Sequence, residues 1–194
     1  MTSRRDKKKA AVRQALYEAA LQLFRTQGYE ATSVASICAE AGVAKGTFFN
    51  HYPTKAHVLA HWYDAAMHAA AEMAVADHAP LTEALQARAI AALTLARAEP
   101  ELWRAKHALA PQDRDIQASE AQADARITAH AAERIRAAQA AGDIAAQIDP
   151  DALADVYVGL VTGTIRQWLN TGERFDLEDA LRVRIATLIG LAST

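Results

Sequence analysis

The residues from Ser33 to Lys55, SVASICAEAGVAKGTFFNHYPTK, constrain this chain more than any other stretch. Val34, Ile37, Cys38 and Ala41 recur at helical spacing and define one apolar face. Ser33 precedes them, and its hydroxyl can accept from a backbone N–H that has no partner in the first turn. Gly42 suits the left-handed conformation of a tight turn, and Val43 can fill the gap beside it. A second helix of about two turns is expected from Ala44, stopped by Pro53. Two short helices joined by a three- or four-residue turn form a helix-turn-helix, a unit whose second helix enters the major groove of DNA.

The residue identities carry this further. GVAKGTFFNHYPTK resembles the DNA-binding signature of the TetR family of bacterial transcriptional regulators. The matching positions are Val43 at the turn, Gly46-Thr47, Phe48-Phe49, His51-Tyr52, Pro53, Thr54 and Lys55. Phe49 stands where Tyr is commoner in the family, and Cys38 where Ala is commoner. The resemblance covers roughly Gln14 to Trp62. It implies that Lys45, Thr47, Phe49 and Asn50 face base edges, with Gly46 letting the backbone approach closely. Ser33, Thr47, His51 and Lys55 are placed by it on phosphates. The chemistry agrees. Lys donates to guanine acceptors, Asn pairs bidentately with adenine, and a ring or a Thr methyl meets the thymine methyl. Phe48 and Tyr52 read as core. Cys38 reads as a small buried apolar residue.

Charge is distributed to match. Residues 1–60 hold nine Lys/Arg and four acids, a balance of +5, so the remainder of this chain of net charge −2 carries −7. A basic end on an acidic body puts the nucleic-acid surface at that end. Met1 to Lys9 reads as a disordered basic arm able to follow phosphates or a minor groove. The lone cysteine excludes an internal disulfide and fits a reducing cytoplasm, and no apolar run has the length of a membrane span.

Helical punctuation divides the rest. The first helix is expected from about Lys9 to Thr26, with Val12, Leu16, Ala19 and Leu23 inward and Gly28 as its cap. The fourth is expected from Lys55 to about Ala76, with Val58, Trp62, Ala66, Ala69 and Met73 as one stripe and a break at 77–80. Further helices follow over 82–98, 100–109, 112–142, from Pro150 to near Gly172, and after Asp176. All five prolines fall between these patterns or in a first turn. The expected fold is all-α with about nine helices. An N-terminal three-helix helix-turn-helix DNA-binding domain (1–54, with the basic arm) precedes a helical ligand-binding and dimerisation bundle (55–194).

Function within the bundle is read from stripes. Tyr63, Met67, Trp103, His107, Ile127 and Trp168 are the candidate effector lining, being aromatic, Met or polar-tipped residues on inward faces. Val156, Gly159, Leu160, Gly163, Ile165, Leu181, Ile185 and Leu188 are the candidate dimer interface, where Gly159 and Gly163 offer a smooth strip to a second backbone. His57, His61 and His68 on the fourth helix raise a metal-responsive alternative, although no Cys or carboxylate cluster accompanies them. A helical enzyme is the other alternative; the chain has no nucleophile elbow, Gly-rich phosphate loop or HExxH. The resulting expectation is a homodimeric, ligand-responsive regulator, a repressor of a palindromic operator in double-stranded DNA. A small, mostly apolar effector would release it, with no catalytic residue, cofactor, metal or membrane partner.

Overall fold

The computed structural model describes residues 3–73, 79–172 and 174–193, with Ala71 and Glu72 described by backbone alone. Among these residues there are nine helices and no strand. They are α1 (Arg4–Gln27), α2 (Val34–Glu40), α3 (Lys45–Phe49), α4 (Lys55–Glu72), α5 (Leu81–Ala98), α6 (Pro100–Leu109), α7 (Arg114–Ala141), α8 (Pro150–Asn170) and α9 (Leu177–Ala192). Packing divides them into two compact units, Met1–Tyr63 with Glu99–Ser119 and Asp64–Ala98 with Glu120–Thr194.

Local chemistry accounts for most helix ends. Ser33 and Ser36 form a reciprocal capping box at α2: the Ser33 hydroxyl accepts from the Ser36 N–H at 3.0 Å, and the Ser36 hydroxyl accepts from the Ser33 N–H at 3.1 Å. Asp149 and Asp176 cap α8 and α9, as their sequence positions suggest. Asp113 does the same for α7, accepting from the N–H groups of Asp115 and Ile116, so that helix begins at Arg114 rather than Gln112. Gly28 and Gly42, with φ of 86° and 65°, turn the chain where a side chain would be strained.

The largest departure is at the N-terminus. The expected disordered arm is helical from Arg4, because Ser3 caps it and Asp6 returns the bond from the third helical position. Met1 and Thr2 lie outside the described residues. The continuation of α4 to Ala76 and the breaking residues Asp77 and His78 also fall outside them. On α4 the buried stripe runs through Val58, Leu59, Trp62, Tyr63, Met67 and Ala70, whereas Ala69 and Met73 are exposed.

In the first unit, Leu16, Ala20 and Phe24 of α1 are buried together with Ile37 and Cys38 of α2 and Phe48 of α3. Trp103 of α6 meets Trp62 and Tyr63 edge-on, with ring centroids 5.9 and 5.5 Å away. In the second unit, α5 and α8 pack against α9. Leu85, Leu93, Ile135, Tyr157, Leu181 and Ile185 form its centre. The Tyr157 hydroxyl donates to the Leu85 carbonyl at 2.9 Å, which satisfies a buried polar group.

Candidate nucleic-acid interface

α3 is short and asymmetric. Phe48 is fully buried and meets Tyr52, while its neighbour Phe49 is 49% exposed. That division follows from helical spacing, which turns adjacent side chains about 100° apart. Lys45, Gly46 and Asn50 are exposed beside Phe49, and Thr47 is half-buried. A Cβ built on Gly46 would meet nothing within 4 Å, so no packing inside the chain requires glycine there.

A second basic element joins this face. His51 is half-buried, and its pKa is held below the ordinary value, first by burial and then by the positive charges of Lys9 and Arg13. Arg13 lies over the Tyr52 ring, 5.3 Å from its centroid, and donates to the Tyr52 hydroxyl at 3.4 Å. The first turns of α1 therefore bring fixed cations to the end of α3. The sequence reading missed this, since it treated residues 1–9 as disordered; Ser3 and Asp6 at capping spacing were the available signal.

Two expected phosphate contacts have intramolecular work. The Ser33 hydroxyl is engaged as the α2 cap, although its side chain is exposed. Lys55 Nζ donates to the carbonyls of Tyr29 at 2.7 Å and Thr32 at 3.0 Å, and sits 4.0 Å from the Tyr29 ring centroid. Burial lowers its pKa. Lys55 thus ties the start of α4 to the loop before α2. The Tyr52 hydroxyl is likewise occupied, 3.2 Å from His61 Nδ1.

The candidate effector residues fall into two groups. Tyr63, Trp103 and His107 cluster in the first unit, the Trp103 and His107 rings 5.8 Å apart. Lys106 is buried there, with Nζ 3.8 Å from the Tyr63 ring centroid. Met67 and Ile127 line a recess in the second unit with Ala89, Val158, Val161, Tyr157 and Arg88. The recess is small and opens toward solvent. Trp168 is buried but is not among the lining residues. Arg88 and Tyr157 were missed, though Arg88 lies on the apolar stripe of Leu81, Leu85, Ala89 and Ala96 at helical spacing.

The candidate dimer residues also divide. Val156 is 54% exposed, Gly159 and Gly163 are exposed, and Leu160 and Leu188 are half-buried. Ile165, Leu181 and Ile185 are buried in the chain's own core, so they support such a face from behind and do not form it. Val183, which the sequence reading passed over, is 57% exposed. The histidines of α4 do not converge. His57 faces Thr54 and Asp115, His61 faces Tyr17 and Tyr52, and His68 is exposed. No group of three His, Cys, Asp or Glu side chains that could hold a metal occurs among the described residues. No helix among them is long and apolar enough to cross a membrane.

Comparison with known proteins gives the same picture. Residues 16–61 match the family model described as bacterial regulatory proteins, tetR family. No sequence match was found among curated proteins. A tetR family transcription regulator from Shewanella sp. PV-4 is 30% identical, with 94% of this chain and 98% of that one covered and a TM-score of 0.61. A transcriptional regulator from Saccharomonospora viridis, solved in complex with choline, is 26% identical over 92% and 95% of the two chains, TM-score 0.68. Thermus thermophilus FadR, a TetR family transcriptional repressor solved with lauroyl-CoA, shares the fold at 21% identity, covering 91% and 93%, TM-score 0.74. With near-complete coverage of the Shewanella protein, and a helix-turn-helix whose exposed α3 face carries the expected residue types, this chain belongs to the TetR family of bacterial transcription regulators.

Proposed function

We propose that the chain is a homodimeric repressor that reads a palindromic operator through α3 and is released by a small-molecule effector held in its second unit. The observation that carries the DNA-binding part is the α3 face, where Lys45, Gly46, Phe49 and Asn50 are exposed while Phe48 is buried. Thr47 and His51 flank it, and Lys9 and Arg13 supply charge toward phosphates. Ser33 and Lys55 act at the border of the same face. Each has an internal partner, so their phosphate contacts are secondary to holding α2 and α4 in place.

Dimerisation is supported by glycines that the chain does not otherwise need. Gly159 and Gly163 lie inside α8, where glycine costs roughly 0.5–1 kcal/mol relative to Ala. A Cβ at either would meet nothing within 4 Å. A second backbone lying against Val156, Gly159, Leu160 and Gly163 explains both. A dimer brings two α3 helices to two half-sites, which requires a palindromic or near-palindromic operator.

The effector reading rests on the recess at Met67 and Ile127, and on small molecules bound by the FadR and Saccharomonospora proteins. α4 carries the chain from the first unit at Lys55 to the second at Met67, which makes it the element a ligand would displace. An effector must bind the DNA-incompetent arrangement better, because equal affinity shifts no population. Reciprocity then makes operator DNA weaken effector binding by the same factor, typically 5–150-fold. Calorimetric titration with and without operator tests this, and equal affinities would leave a DNA-binding dimer without a switch.

A further inference from the structure

The buried residues of α5, from Leu81 to Ala96, are all apolar, and Arg88 stands beside them at helical spacing from Leu81, Leu85 and Ala92. Arg88 is half-buried, lines the recess described above, and makes no hydrogen bond or ion pair among the described residues. Desolvation holds its guanidinium below its ordinary pKa; the one titratable group acting on it is Tyr157. The Tyr157 hydroxyl already donates to Leu85, and burial holds its proton in place by raising its pKa, so it supplies no counter-charge. Around the cation, Met67, Ala89, Ile127, Val158 and Val161 are apolar, and the Thr162 hydroxyl donates to the Val158 carbonyl at 2.9 Å.

A guanidinium drawn partly out of water with no anion beside it lowers stability, whereas one that meets a carboxylate gains two parallel charge-assisted bonds. Among the described residues, this recess therefore has a cation and apolar walls and no anion. We propose that it binds a small apolar carboxylic acid, whose carboxylate pairs with Arg88 while its hydrocarbon body lies among Met67, Ile127, Val158 and Val161. The proposal rests on the ligand-responsive reading and names the class of ligand for it. A monoanion fits a single guanidinium; an amine would repel it, and a neutral chain would leave it unpaired. The recess is too small to take such an acid as it stands, so its walls must move. The flexible Met67 side chain and neighbouring alanines are the groups able to yield.

The test uses the full chain with octanoate and 4-phenylbutanoate as probes, and octan-1-ol and octylamine as controls of similar shape. Calorimetry should show the acids binding at least tenfold more tightly than the alcohol, and no binding by the amine. Arg88→Met should weaken the acids at least tenfold and leave the alcohol unchanged, while Arg88→Lys should retain part of the acid affinity. Without ligand, Arg88→Met should melt at or above the wild-type temperature, since it removes an unpaired charge; a purely structural arginine would lower the melting temperature. The proposal is overturned if neither acid binds, if the alcohol binds as tightly as the acids, or if Arg88→Met leaves acid affinity intact. Operator affinity measured with the acid bound separates the two readings. An unchanged value, with Arg88-dependent binding intact, supports the site and removes the switch.

Discussion

The exposed face of α3 and the exposed face of α8 and α9 are built from similar material and differ in what surrounds it. Each combines large apolar groups with glycine: Phe49 and Gly46 in one case, Val156, Gly159, Gly163 and Val183 in the other. Each glycine stands in open space. Cations gather at α3, with Lys45 on the helix and Lys9 and Arg13 acting on His51. Around α8 and α9 they are mixed: Asp155 and Arg166 are exposed, and Arg182 pairs with Glu178. On the proposed reading, exposed apolar surface next to glycine is where another body approaches closely. The surrounding charge then separates the two proposed partners, a polyanion for α3 and a second copy of the chain for α8.

The contrast between neighbours on α3 gives the largest expected effect. Phe48→Ala should cost about 3–5 kcal/mol of stability by urea unfolding, as for other buried aromatic truncations. Phe49→Ala should stay within about 0.5 kcal/mol for stability and still weaken operator binding. Equal stability losses at the two positions would erase the distinction between core and reading face.

Gly163→Leu tests the other face. Wild type should sediment as a dimer at micromolar concentration. The variant should shift toward monomer by about 1–3 kcal/mol of overpacking while its melting temperature as a monomer holds. A wild-type monomer would remove the α8 pairing surface.

Base reading and scaffold should separate on the DNA side. Lys45→Ala or Asn50→Ala should relax base preference by about 1–3 kcal/mol per contact without loss of stability. Lys55→Ala should instead destabilise the first unit by about 1–3 kcal/mol, because it strips the donor from two carbonyls. An unchanged melting temperature with a salt slope lowered by about 1 would make Lys55 a phosphate contact and nothing more.

The smallest effect is the dependence on acidity. The His51 pKa lies below its unfolded value, so the unfolded chain takes up protons first as pH falls through about 6.5. The free protein should therefore lose some stability toward acid. A phosphate beside His51 opposes Lys9 and Arg13 and raises its pKa, so operator affinity should rise as pH falls over the same window. His51→Gln should flatten both curves in binding and melting measurements. A wild-type operator affinity that is flat between pH 5 and 7 would take His51 away from the DNA.

Much of the first unit was legible because its signals are short in range. A capping serine, a turn glycine and an apolar triplet all act within a few residues of one another, so the span from Ser33 to Pro53 could be placed without any distant contact. The same holds for the Asp149 and Asp176 caps and for prolines at first turns. The α1 start was misread even though Ser3 and Asp6 were visible, because the run of basic residues after them suggested disorder.

What the order of residues determined by itself was the family, the all-helical class, the helix boundaries set by caps and breakers, and the split of Phe48 from Phe49. Each depends on periodicity or on groups within a turn or two. Only the tertiary structure decided that Ile165, Leu181 and Ile185 are enclosed while Val156 and Val183 are open, because a periodic stripe does not say which neighbour covers it. It also placed Trp103 with Trp62 and Tyr63, and Met67 with Ile127, residues far apart along the chain. And it set the Arg88 guanidinium in an apolar recess that, among the described residues, holds no carboxylate, a spatial arrangement that no spacing along the chain can state.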